Sequence, residues 1–306
     1  MESPLRAKRL QDLIESPLIE APSWVAPAVV PKRGVVIFAG ATKIGKTFMT
    51  LELTRALATG GEFLEYGAFR AEETKVMVVE REVGEFTLNA RSRKVFSGTH
   101  RDKIYDNAFY ISQDPDLNLD NAAGLNILAD EIDKTGVNVL ILDPISHMHT
   151  GDENDNSAMN EVFYNLEKLR KLFKHRDFTI IVAHHFRKPP EGRGRDDWDP
   201  LDINNIRGAG KFSSAPDTII TLNRLRPNLN TPWESWQNEV RYTLRHGESP
   251  PDQIVSVNRL GDLRVRWEAN KGENRQPPKV KLGEKLKFSP ASFTADVALV
   301  VPGRSS

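Results

Sequence analysis

The chain is written in short, nearly continuous runs of Val, Ile and Leu, separated by stretches with helical spacing. VVIFAG at 35–40 is the first apolar run, and FMTLELTRALATG after it predicts a helix. KVMVVE at 75–80 predicts a second buried strand, with a helix over Gly84–Val95 behind it. FYIS at 109–112 is short and strand-like, and the amphipathic segment Ala122–Lys134 leads into VNVLILD at 137–143. Met159–Phe173 places Val162, Phe163, Leu166, Leu169 and Leu172 on one helical face, and FTIIVAHH at 178–185 follows as another strand. Apolar runs that do not alternate with polar residues, interleaved with helices, predict a mostly parallel α/β sheet covered on both faces. Further strands are expected at 217–225, 240–246, 254–258 and 263–269. Only turn-rich connectors separate them, so they predict an antiparallel C-terminal extension of the same sheet.

The flanks read differently. Residues 1–33 form a lead-in, with a short helix over Leu5–Glu15 and then Pro17, Pro22, Pro27 and Pro31 interrupting regular structure. Residues 34–269 hold the α/β pattern and are expected to form one domain. Within it, 187–206 is polar and rich in Pro, Gly and charge, which predicts a long loop. Residues 270–306 predict a basic, flexible tail.

Composition narrows the chemistry. The 306 residues carry 42 Lys and Arg against 42 Asp and Glu, and no cysteine. Without cysteine there are no disulfides, no thiolate zinc, no iron–sulfur cluster and no thiol catalysis. No apolar run approaches the ~18 residues of a membrane span. MESPLRAKRLQDLIE lacks the apolar core of a signal peptide, so a cytoplasmic protein without membrane association is expected.

Gly40-Ala41-Thr42-Lys43-Ile44-Gly45-Lys46-Thr47 fits G-x-x-x-x-G-K-[ST] between an apolar strand and a helix that continues with Phe48. The glycines let the backbone wrap closely around phosphates, and the helix N-terminus adds partial positive charge. Lys46 is placed to reach the β- and γ-phosphates of ATP, and the Thr47 hydroxyl to hold Mg²⁺. Two acids end neighbouring apolar runs. Asp143 is suited to the metal, its alternative role being a cap at a strand end. Glu80 is suited to taking a proton from water, its alternative being an exposed member of the Glu80-Arg81-Glu82 cluster. His184 and His185 end a strand on which side chains alternate, so one of them faces the phosphates. His185 is the favoured one, and local hydrogen bonding of both is the alternative.

Together these residues resemble the RecA-like ATPase core. They are most similar to the RepA family of hexameric plasmid-type replicative helicases, with DnaB-like helicases more distant. The likeness runs from about Pro31 to Glu268. It rests on GATKIGKT at 40–47, VVERE at 78–82, LDPISHMHTGDENDNSAM at 142–159, VAHHFRKP at 182–189, RGAGKFSSAPD at 207–217 and LRHG at 244–247. The resemblance implies a RecA-type fold, ATP and Mg²⁺ as ligands, Glu80 as catalytic base, Asp143 as metal-site acid and His185 as sensor. It also implies that Arg207 is an arginine finger given to the neighbouring subunit, and that Arg245 is a second trans-acting cation. Two departures stand out. The acid pair often found after the second strand is Glu80-Arg81 here, and no primase or large N-terminal helical domain is present in these 306 residues.

The partners implied are single-stranded DNA and further copies of the chain in a ring, a hexamer by the resemblance. The 187–206 loop carries Arg187, Lys188, Arg193 and Arg195 against five acids, with Trp198 as a stacking candidate. Residues 257–288 carry nine cations against four acids, so the rest of this neutral chain sums to −5. The expected function is an ATP-hydrolysing, helicase-like motor on single-stranded DNA. The alternatives are a recombinase-like or loader ATPase that remodels DNA–protein complexes without unwinding, and a nucleotide-dependent switch.

Overall fold

The computed structural model describes residues 9–15, 22–153, 155–187, 199–207, 210–225, 235–258 and 261–272. Its strands are β1 (Ser23–Val25), β2 (Val30–Pro31), β3 (Val35–Gly40), β4 (Val76–Glu80), β5 (Ala108–Ser112), β6 (Val139–Asp143), β7 (Thr179–His185), β8 (Thr218–Arg224), β9 (Ser235–Leu244), β10 (Gln253–Asn258) and β11 (Val265–Asn270). Its helices are α1 (Leu10–Ile14), α2 (Lys46–Thr59), α3 (Glu85–Val95), α4 (Arg101–Asn107), α5 (Ala122–Thr135), α6 (Asn156–Leu172) and α7 (Gly210–Ser214).

Nine strands form one sheet in the order β11-β10-β9-β8-β3-β7-β6-β4-β5. The six from β8 to β5 are parallel, and β9, β10 and β11 extend the sheet antiparallel. The apolar runs are continuous because both faces are covered. Val36, Phe38, Val78 and Ile141 point into one core, shared with α2. Val35, Ile37, Val79 and Leu142 point into the other, shared with α5 and α6. Asn121 caps α5 by accepting the Gly124 N–H at 2.8 Å, and Asp155 caps α6 by accepting that of Ser157 at 2.8 Å.

The structure differs from the sequence reading in three places. Residues 22–33, expected as an irregular lead-in, carry β1 and β2 and bury Trp24, Val25, Val29 and Val30 in the first core. Trp24 Nε1 also donates to the Thr179 hydroxyl at 3.2 Å, tying this segment to the start of β7. α4 has no counterpart in the apolar pattern, because Ile104 is its one buried residue. β9 begins at Ser235 rather than near Val240, since its first residues pair with both Arg224–Leu222 and Asn258–Val255. Loop residues 188–198 and tail residues 273–306 lie outside the described residues.

Candidate functional site

Parallel strands end together, so their last residues share one edge of the sheet. Gly40 of β3 stands beside His185 of β7, and Glu80 of β4 stands beside Asp143 of β6. The loop after Gly40 turns through two left-handed residues, Lys43 (φ 60) and Gly45 (φ 107), before α2 begins. Gly45 tolerates this conformation because it lacks a Cβ. Gly40 is required for space, as a Cβ there would sit 2.8 Å from the Leu222 carbonyl oxygen. From behind, Arg224 Nη2 donates to the carbonyls of Lys43 and Ile44 at 3.2 and 3.1 Å, and Asn238 Nδ2 donates to that of Ile44 at 3.0 Å.

Lys46 folds back across this loop. Its Nζ donates to the carbonyls of Gly40 (3.1 Å) and Ala41 (2.9 Å) and to Nδ1 of His185 at 3.1 Å. Burial pulls its pKa down to about 8, against the opposing pull of Asp143 and Glu82. Asp143 is buried and accepts the Thr50 hydroxyl at 2.8 Å; burial raises its pKa, opposed first by hydrogen bonds from Thr50 and Thr47. Glu80 is buried as well. Its Oε1 accepts the backbone N–H groups of Glu82 (2.9 Å) and Val83 (2.6 Å), which fixes the carboxylate plane. Its Oε2 is buried without a partner among the described residues, and burial raises its pKa. Arg81 turns aside, donating to the Leu117 carbonyl at 2.8 Å.

The two histidines diverge as strand alternation demands. His185 meets Lys46, whereas His184 lies against Phe212 and places Nε2 2.9 Å from the Arg207 carbonyl. Burial pulls both pKa values down to about 4, so both are neutral at pH 7. Nε2 of His184 is therefore the donor to Arg207, and Nδ1 of His185 the acceptor from Lys46. Arg207 lies at the same sheet edge, with its guanidinium 2.8 Å from Glu153. Arg245 lies at the other end. Leu244 is paired with Thr218 at the start of β8, whereas Gly40 is paired with Leu222, and Arg245 Nη2 is bonded to the Ser214 carbonyl. The structure thus gathers Lys46, Thr47, Glu80, Asp143 and His185, sets Arg207 nearby, and separates Arg245 from them.

A family profile described as AAA domain matches residues 2–191. The chain belongs to the AAA domain family. Its glycine-rich strand–loop–helix and parallel sheet make it a P-loop ATPase. A segment of 99 residues is 29% identical to the DNA helicase/primase of Enterobacteria phage T3. That segment covers 31% of this chain and 17% of the phage protein. Among the described residues no helix is long and apolar enough to cross a membrane.

A cleft of about 260 Å³ opens over the loop; its lining includes a first group, Lys46, Thr47, Asp143 and His185, and a second, Phe48, Arg91, Arg224 and Trp236. The second group, Phe48 apart, was not legible in the sequence. Phe48 and Trp236 pack at 5.4 Å, Arg224 lies over the Trp236 ring and Arg91 over that of Phe48. The donor set fits Mg²⁺. Thr47 and Asp143 are hard oxygen donors, and no fuller cage of His, Asp or Glu is gathered among the described residues. That sparse set is what Mg²⁺ takes when phosphates supply other ligands.

Proposed function

We propose that this chain hydrolyses ATP with Mg²⁺ and couples turnover to movement on single-stranded DNA, as a ring-forming motor of the RepA helicase type. The observation that carries the reading is the meeting of Glu80, Asp143, Lys46 and His185 at one sheet edge, directly over a glycine-rich loop. The phage helicase/primase likeness supports the nucleic-acid part of it.

ATP would lay its phosphates along residues 40–47, where Lys46 exchanges its loop carbonyls and His185 for phosphate oxygens. Mg²⁺, held by Thr47 and Asp143, would supply charge neutralisation to the β- and γ-phosphates. Glu80, with one oxygen pinned by two N–H groups and the other unpartnered among the described residues, takes the proton from the attacking water through Oε2. His185 loses its contact with Lys46 when phosphate arrives and so registers occupancy of the site. Arg207 acts on the ATP of the next subunit, which makes turnover depend on assembly. By the resemblance to DnaB-like helicases, Arg245 is assigned the same trans-acting class.

The test is ATP turnover with and without single-stranded DNA over a range of salt. Stimulation that weakens as salt rises supports a DNA-coupled motor, because phosphate contacts release counterions. Turnover indifferent to DNA at every salt concentration rejects the coupling. Strand displacement on a forked duplex then separates a helicase from a remodelling ATPase.

A further inference from the structure

The geometry points to Glu153 as a positioning residue that braces Arg207 for its action on a neighbouring molecule; the inference rests on the trans-acting reading of Arg207 above. Glu153 sits in the loop between β6 and α6, in the Gly151-Asp152-Glu153 stretch that the catalytic chemistry leaves unused. Its Oε2 accepts from Arg207 Nη1 at 2.8 Å. The Arg207 backbone is held as well. Its N–H donates to the His185 carbonyl at 3.1 Å, and its carbonyl accepts from His184 at 2.9 Å. An arginine side chain is rich in rotamers, and here both its root and its tip are tied. The tie leaves function open: among the described residues Nη1 makes the one side-chain ion pair of Arg207, and its side chain is 34% exposed. Among the described residues no acceptor engages the remaining N–H groups of the planar fork, which can take a second anion such as phosphate. Glu153 itself is largely buried, with 15% of its side chain exposed.

The arrangement also joins two sites. His185 touches Lys46 with its ring and holds Arg207 with its carbonyl, so the β7 tip connects a subunit's own phosphate site to the cation it presents outward.

The test uses the full chain with Glu153→Gln, which keeps shape and removes charge. Alone, this variant should lose about ten- to a hundredfold in kcat, the scale of a misplaced catalytic group. Its KM for ATP should stay within about twofold, since its own phosphate site is intact. Glu153→Asp should fall between the variant and the parent. Mixed with Glu80→Gln subunits, which do not turn over but present a braced Arg207, Glu153→Gln should regain turnover. Arg207→Ala mixed the same way is the control, with co-purification of differently tagged subunits confirming mixed assemblies. Unchanged kcat in Glu153→Gln overturns the inference. So does failure of the mixture to recover while the Arg207→Ala mixture does. Failure of both mixtures instead removes the trans-acting role of Arg207, and the role of Glu153 goes with it.

Discussion

Lys46 Nζ lies 3.1 Å from Nδ1 of His185, a buried cation resting on a neutral imidazole. Burial holds Lys46 down to about 8 and His185 down to about 4, so the lysine is the group of this pair that titrates near neutral pH. Lys46 is charged below about pH 8 and loses its proton as pH rises through that value. Nucleotide affinity should therefore weaken from about pH 8 upward, by at most about tenfold per pH unit. Fluorescent nucleotide titrations across that range test it, with Lys46→Arg as the variant whose residual affinity stays flat. Affinity that is level to pH 10 in the parent chain rejects the assignment.

Glu80 stands beside Asp143 across β4 and β6, and of this pair only Glu80 keeps a buried oxygen without a partner among the described residues. Glu80→Gln keeps the shape and can still accept the Glu82 and Val83 N–H groups through its amide oxygen. Turnover should drop roughly a hundred- to ten-thousandfold with nucleotide affinity nearly unchanged. Single-turnover hydrolysis and equilibrium binding, measured on the same preparation, separate the two effects. Equal losses in binding and turnover would show that Glu80 holds the site together instead of acting as base.

How much of this was legible depended on how local each cause is. The strands that carry Gly40, Glu80, Asp143 and His185 were readable because burial on both sheet faces writes unbroken apolar runs. The phosphate loop was readable because its residues are consecutive. The pairing of Glu80 with Asp143 needed the strand order, which no single segment encodes. Trp24, Val25, Val29 and Val30 were hidden by prolines that break periodicity without preventing burial. Arg224, Trp236 and Asn238 reach the loop from β8 and β9, and nothing in their own neighbourhood marks them as loop supports.

The aromatic side of the cleft gives a test that separates base from phosphate. Trp236 packs on Phe48 at 5.4 Å with the two rings tilted by 56° and carries Arg224 on its ring, giving the cleft an aromatic lining beside Lys46 and Thr47. A nucleobase stacked there would contribute about 1–3 kcal/mol. Trp236→Ala should weaken ATP binding by about tenfold while leaving inorganic tripolyphosphate, which has no base, nearly unaffected. Equal weakening of both ligands would place the effect of Trp236 in the loop supports, not in base contact.

Beneath the site, α2 is anchored by buried charge. Glu52 is fully buried, its pKa raised by burial, and Arg55 donates to its Oε1 from Nε at 3.0 Å and from Nη2 at 2.6 Å. Arg264 approaches Oε2 at 3.7 Å and also pairs with Glu65 at 2.6 Å, linking α2 to the turn that opens β11. Removing one partner of a buried pair costs more than the pair itself contributes, and without Arg55 the Glu52 carboxylate would keep only the longer approach of Arg264. Arg55→Ala should therefore destabilise the chain by about 3 kcal/mol, read as a lowered urea midpoint at unchanged slope. The double variant Glu52→Leu with Arg55→Met removes both charges and keeps apolar volume, so most of that loss should be recovered. A double variant as unstable as Arg55→Ala alone would mean that packing around α2, not the stranded carboxylate, sets the cost.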